Sequence, residues 1–186
     1  MSVIEPEVRT RLLPGMGRLP VRVGVVADTY DNRDALRQLL DRFLVAGARW
    51  LIHCGGLGSA ALVDLLKPWQ VYIVAGEKER DRAAIEAALQ KARLQATLPT
   101  ELAVTIEGVR VGVCRGDNMV IVNNWAKSGE FDYIFYGHTL RRRDESRGRT
   151  RLINPGALGG PRYQSRSGLL MDLVSGEAKV IEIAEK

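Results

Sequence analysis

Hydrophobic and polar positions along the chain divide it into short segments of two kinds. Val21–Ala27 is an apolar, β-branched run that stops at Asp28, the pattern of a buried strand. Arg33–Ala46 follows, with Leu36, Leu39, Leu40, Phe43 and Leu44 at helical spacing and Gly47 as a stop signal. Trp50–His53 predicts a second strand, Ala60–Leu66 a second helix closed by Pro68, and Val71–Ala75 a third strand. Arg82–Leu94, rich in alanine, predicts a third helix. This β-α-β-α-β alternation points to a parallel sheet covered by helices.

After Pro99 the pattern changes. Leu102–Ile106 and Val109–Cys114, joined by Glu107-Gly108, predict a hairpin, and Met119–Lys127 a weak helix ahead of the strand Tyr133–Tyr136. Arg149–Ile153, Gly168–Asp172 and Lys179–Ile183 predict further short strands, mostly antiparallel. The expectation is two sheets packed face to face with helices outside. Residues 1–20 contain Pro6, Pro14, Gly15, Gly17 and Pro20 with little periodicity and are read as an arm or linker, leaving 21–186 as one domain.

Composition narrows the class. The 186 residues are 46% hydrophobic and 26% charged, enough apolar material for one sizeable core. Two cysteines, Cys54 and Cys114, are too few for a disulfide framework, which suits a reducing, cytoplasmic setting. No run approaches the roughly 18 apolar residues of a membrane span, and the start resembles neither a secretory signal nor a transit peptide. The formal net charge of +5 is modest and permits an anionic partner only where it clusters.

Candidate chemistry gathers after the strands, where open α/β sheets place their ligands: Asp28-Thr29-Tyr30-Asp31-Asn32, His53-Cys54-Gly55-Gly56, Gly76-Glu77-Lys78-Glu79, Arg115-Gly116-Asp117, Gly137-His138-Thr139 and Asn154-Pro155-Gly156. Taken singly, each reads as turn chemistry. Their order is more specific. VGVVADTYDN, LIHCGG, VYIVAGEKE, VGVCRGD, YIFYGHTL and LINPGALGGPR follow one another over most of the chain. This series resembles the calcineurin-like metallophosphoesterases, in particular the small bacterial and archaeal phosphodiesterase branch, which includes the scaffold subunit of the retromer complex. The resemblance implies an α/β fold: a four-layer α/β/β/α sandwich of two mixed sheets. It also implies a two-metal site for phosphoester hydrolysis.

Set against that family's ligand pattern, the chain keeps Asp28 and His138. It carries Tyr30, Gly56, Glu77, Arg115 and Leu140 where the pattern has histidine, bridging aspartate, asparagine, histidine and histidine. Gly56 and Leu140 have no donor atom to offer, and Arg115 does not deprotonate to become a ligand. The expectation is therefore no bound metal and no catalytic residue, with the family positions vestigial and the protein working by binding, as a scaffold or regulatory subunit. The alternative is a hydrolase with a site rebuilt on Asp28, Glu77, Asp117 and His138, taking manganese, magnesium or zinc. In that case His138 is the catalytic candidate. Glu79 and Asp31 extend the oxygen set, although acids in such loops more often cap helices or pair with bases. A softer set for zinc is Cys54, Cys114, His53 and His138, without zinc-site spacing.

A second alternative is a phosphate or nucleotide sensor. Six arginines occur in the eleven residues from Arg141 to Arg151, a run that reads first as a solvated hairpin. Arg141, Arg142 and Arg143, with Arg115 and Arg162 of the Pro-Arg pair, are its anion-binding candidates. A protein partner or self-association is expected, and neither nucleic acid nor a membrane. Within the site, Arg115 either takes over the role of the missing metal charge by pairing with Asp28 or Glu77, with Tyr30 filling vacated space, or swings outward into solvent.

Overall fold

The structure is a computed structural model that describes residues 18–76, 79–161 and 163–184. Its elements run β1 (Arg22–Val26), α1 (Arg33–Val45), β2 (Trp50–His53), a 3-10 helix (Ala60–Leu66), β3 (Gln70–Ile73), α2 (Arg82–Lys91), β4 (Glu101–Ile106) and β5 (Val109–Cys114). They continue with α3 (Met119–Ser128), β6 (Tyr133–Tyr136), β7 (Arg143–Arg147), β8 (Thr150–Asn154), β9 (Ser167–Asp172) and β10 (Ala178–Glu182). Two five-stranded sheets result, ordered β10-β9-β1-β2-β3 and β4-β5-β6-β8-β7.

Burial sorts into three apolar layers. Leu36, Leu39, Leu40 and Phe43 of α1 join the 3-10 helix and Ile85 and Leu89 of α2 on the outer face of the first sheet. Val23, Val25, Ile52, Val111, Val113, Phe135 and Met171 fill the space between the sheets. Val122 and Ala126 of α3 close the far side over Ile134 and Leu152. The order is helix, sheet, sheet, helix, as the sequence implied.

Close packing explains one glycine inside a strand. A Cβ on Gly24 would lie 2.2 Å from Cδ2 of Phe43, so α1 reaches the sheet only because position 24 is bare. Two of the three α-helices among the described residues, α1 and α3, are capped by asparagine: Asn32 accepts from the Ala35 amide at 3.2 Å and Asn118 from the Val120 amide at 3.1 Å.

Four details differ from the sequence reading. Ala60–Leu66 is 3-10 rather than α-helical, a short segment burying Leu62, Val63 and Leu66. α2 stops at Lys91 because Arg93 takes a positive φ of 57°. Sheet two is parallel at its centre, β5 to β6 and β6 to β8, with antiparallel strands only at its edges. The arginine run forms the expected hairpin, turning at Gly148, but its first arm is a true edge strand, β7, hidden from pattern reading because every residue is polar.

Of the arm, only Arg18–Pro20 lies among the described residues; all three are exposed and without regular structure. No helix among the described residues is long and apolar enough to cross a membrane.

Candidate functional site

In this topology β1, β2 and β3 run parallel in one sheet and β5, β6 and β8 in the other, and the loops after their carboxyl ends meet at one cleft. The cleft is a cavity of about 850 Å³ lined by residues of the loops after β1, β2, β3, β5 and β6, among them Tyr30, Gly56, Glu79, Arg80, Arg115 and His138.

Arg115 lines it, with Asp28 buried directly behind. Asp28 is fully buried, and Nη2 of Arg115 lies 2.6 Å from its Oδ1, with 7% of the Arg115 side chain exposed. The approach is off the direction of a hydrogen bond, so charge holds Oδ1, while Oδ2 accepts from the backbone amide of His138 at 2.9 Å. Nη2 also donates to the hydroxyl of Tyr30 at 3.0 Å, and the buried Nη1 has no acceptor among the described residues. Burial alone would lower the arginine's pKa, but Asp28, with Tyr30 and Glu79 behind it, outweighs that and raises it. Burial, then the Asp28 carboxylate, raises the Tyr30 phenol, with Arg115 pulling the other way.

Glycines frame this arginine. A Cβ on Gly55 would lie 2.5 Å from its Cδ, one on Gly76 3.1 Å from its Cγ, and one on Gly137 3.1 Å from its Nη1. Three strand-end loops thus leave room for Arg115. The pairing expected from the sequence is present, and the exposed ring of Tyr30 closes one side of it.

Neighbouring groups fix the loops. Nδ1 of His53 accepts from the Gly55 amide at 3.2 Å, so its proton sits on Nε2, which donates to Oγ1 of Thr29 at 2.9 Å. Burial, with help from the Arg115 charge, pushes His53 down to about 3, so the ring is neutral. Asn154 donates to the Gly137 carbonyl at 2.9 Å and the Thr139 hydroxyl at 3.1 Å, pinning the loop that carries His138. Tyr30, Asp31, His138 and Leu140 all hold positive φ values, of 44°, 62°, 70° and 58°. Strained backbone of this kind gathers at functional sites.

The donors present can be compared with what two metals require. Asp28 carries a guanidinium on one oxygen and an amide on the other. At position 56, where φ is +73°, a Cβ would lie 2.9 Å from Asp28 Oδ1 and 3.0 Å from its Cα, so no bridging side chain fits. The carboxylate of Glu79 accepts from the amides of Gly56 at 2.8 Å and Gly58 at 3.1 Å. Asp31 accepts from the Ser59 hydroxyl at 2.6 Å, and Asp117 from the Asn118 amide at 3.1 Å. His53 is spent on Thr29 and Gly55, and both cysteines are buried. Among the described residues no three His, Cys, Asp or Glu side chains converge as a ligand group. Among the described residues these donors do not assemble into the ligand set of a metal pair.

Of the sequence candidates, the structure brings together Asp28, Tyr30, Gly56, Arg115, Asp117 and His138, and sets Leu140 beside Tyr30 across Gly160. Glu77 and Arg162 lie outside the described residues. Arg141, Arg142 and Arg143 do not line the cleft: Arg141 covers the Tyr163 ring at 4.7 Å, Arg142 pairs with Glu182, and Arg143 pairs with Glu145 at 2.7 Å. Sequence reasoning missed Arg80 and Asn118 as lining residues and the Thr29–His53 bond. The glycines of Gly55-Gly56-Leu57-Gly58 were the available signal that backbone amides would turn inward here.

Comparison with known proteins agrees with this architecture. Phosphodiesterase MJ0936 of Methanocaldococcus jannaschii is 24% identical over 138 residues, 73% of this chain and 83% of that protein. A solved archaeal phosphodiesterase superposes with a TM-score of 0.79 at 22% identity, covering 88% of this chain and all of the other. Vacuolar protein sorting 29 of Cryptosporidium parvum gives 0.59 at 18% identity, covering 90% of this chain and all of the other. Residues 21–176 match the calcineurin-like phosphoesterase superfamily domain, and the chain belongs to that family.

Proposed function

We propose that this protein is a metallophosphoesterase-fold binding protein, a scaffold or regulatory subunit, whose cleft is built around Arg115 rather than around metal ions. The observation that carries the reading is the buried Asp28–Arg115 contact. In a site of this fold the first aspartate faces a cation; here the cation belongs to the chain, and a guanidinium does not activate water as a metal does. Gly56 supports the same reading, because its position has no space for a bridging carboxylate while Asp28 keeps its place.

The retained strain favours a cleft that is still used. Five non-glycine residues at the cleft, Asp28, Tyr30, Asp31, His138 and Leu140, hold positive-φ conformations at a cost of about 1–3 kcal/mol each. A partner or ligand bound by this face gives a reason to keep them. The occurrence of a vacuolar protein sorting subunit among the structural neighbours is consistent with protein binding on this fold.

The test is turnover of bis(p-nitrophenyl) phosphate with added manganese, wild type beside Asp28→Asn. The reading expects no manganese-dependent turnover in either. Turnover in the wild type that Asp28→Asn abolishes would overturn it and establish the rebuilt hydrolase.

A further inference from the structure

We infer that the amides of Gly56 and Gly58 form a seat for the carboxylate of a small monocarboxylate ligand, held in this structure by the protein's own Glu79. The inference rests on the binding reading above and names the class of ligand. The seat is built by backbone. Gly55, Gly56 and Gly58 take φ values of +88°, +73° and +107°, conformations that side-chain-bearing residues rarely adopt. They leave two N–H groups facing one anion. Each oxygen of Glu79 accepts from one of them, Oε2 from Gly56 at 2.8 Å and Oε1 from Gly58 at 3.1 Å. A planar two-oxygen anion therefore matches the seat, and Glu79 displays the match.

Glu79 belongs to no helix, since α2 begins at Arg82 with Asp81 at its cap. Its side chain is partly exposed at the cavity wall. Exchange with a ligand carboxylate is charge-neutral within the seat, one carboxylate for another, with Glu79 returned to water. Two further cationic features border the same cavity. Arg80 lines it without a hydrogen-bond or ion-pair partner among the described residues, and Arg115 keeps a buried Nη1 with no acceptor there.

The neighbouring acids set the ligand's charge. Asp31 packs against Gly58, where a Cβ would lie 2.6 Å from its Cγ, and Asp117 also lines the cavity. A phosphate dianion brings one more negative charge toward them than Glu79 does, and like charges in a partly enclosed site repel. A monocarboxylate adds none. The cavity is far larger than a carboxylate, so the ligand carries a body, and the Tyr30 ring, 44% exposed, offers a face for it.

The test is calorimetric titration with benzoate and phenyl phosphate at fixed ionic strength in the presence of a chelator, on wild type, Glu79→Ala and Glu79→Gln. The expected result is benzoate binding at least tenfold tighter in Glu79→Ala than in wild type, weaker binding of phenyl phosphate than of benzoate, and loss of affinity when Arg80→Ala is added. Equal affinities in wild type and variant, no binding to either, or a preference for phenyl phosphate would overturn the inference. If Glu79→Ala does not fold, Glu79→Gln, which keeps shape and an acceptor oxygen, gives the same comparison. Failure of both variants to fold would make Glu79 a structural cap and overturn the inference as well. Because metal is chelated throughout, this outcome is independent of manganese-dependent turnover.

Discussion

Arg115 supplies the counter-charge to the buried Asp28 carboxylate. Removing one partner of a buried ion pair costs about 3–5 kcal/mol, because the other charge stays behind without compensation. Asp28 is fully buried, so Arg115→Ala leaves its carboxylate without the counter-charge, although the His138 amide still donates to it. The variant should lose several kcal/mol in urea unfolding, and Asp28→Asn added to it should restore part of that loss. Simple additivity of the two changes would show that the contact is not energetically coupled. The pairing was legible in the sequence because an arginine stood where a family ligand was expected, close behind a strand end. Its glycine frame was not legible, since Gly55, Gly76 and Gly137 are far apart in sequence and meet only in the fold. The cysteines also needed the structure: burial raises Cys54 well above its ordinary range and pushes Cys114 up to about 12, which suits packing and not reactivity.

Among the elements, α1 is the most tightly specified by its neighbours. Its apolar stripe predicted its bounds to within a residue, because one face carries Leu36, Leu39, Leu40 and Phe43 and the other is polar. What fixes its depth is Gly24 beneath Phe43. Gly24→Ala forces a methyl group to within 2.2 Å of the ring and should destabilise by about 1–3 kcal/mol, the usual cost of overpacking. Phe43→Leu in the same background should recover part of the loss, and denaturant midpoints of the wild type and these two variants check both statements. Edge elements were harder to read. β7 lacks apolar positions altogether, and its charges are spent on pairs: Arg143 and Arg147 with Glu145, and Asp144 with Arg151 of β8. The outer edge of β3 is finished by a side chain, Gln95, whose amide accepts from Ile73 N–H at 3.0 Å and donates to Ile73 C=O at 2.8 Å. Such a stand-in for a strand leaves no periodic trace in sequence.

At the scale of the whole molecule, acid stability should bear the mark of His53. Its folded-state pKa is depressed to about 3 from an ordinary 6.5, so between those values the unfolded chain takes up a proton that the folded chain refuses. Stability from this residue is thus complete above 6.5 and falls as pH drops toward 3, with a slope of up to about 1.4 kcal/mol per pH unit. His53→Gln reproduces the neutral pattern, accepting from Gly55 and donating to Thr29, and should flatten the decline between pH 6 and 4. Parallel wild-type and variant profiles would contradict the assignment. The two-sheet, four-layer architecture was legible because strand and helix patterns alternate cleanly and the motif order matched one family. The parallel centre of the second sheet was not, since local periodicity carries no information on strand direction. The central claim concerns the cleft that both sheets share: its cation is Arg115. Titration calorimetry of manganese into chelator-stripped wild-type protein tests that most directly. The account predicts no saturable, stoichiometric binding; stoichiometric binding that disappears in Asp28→Asn would contradict it.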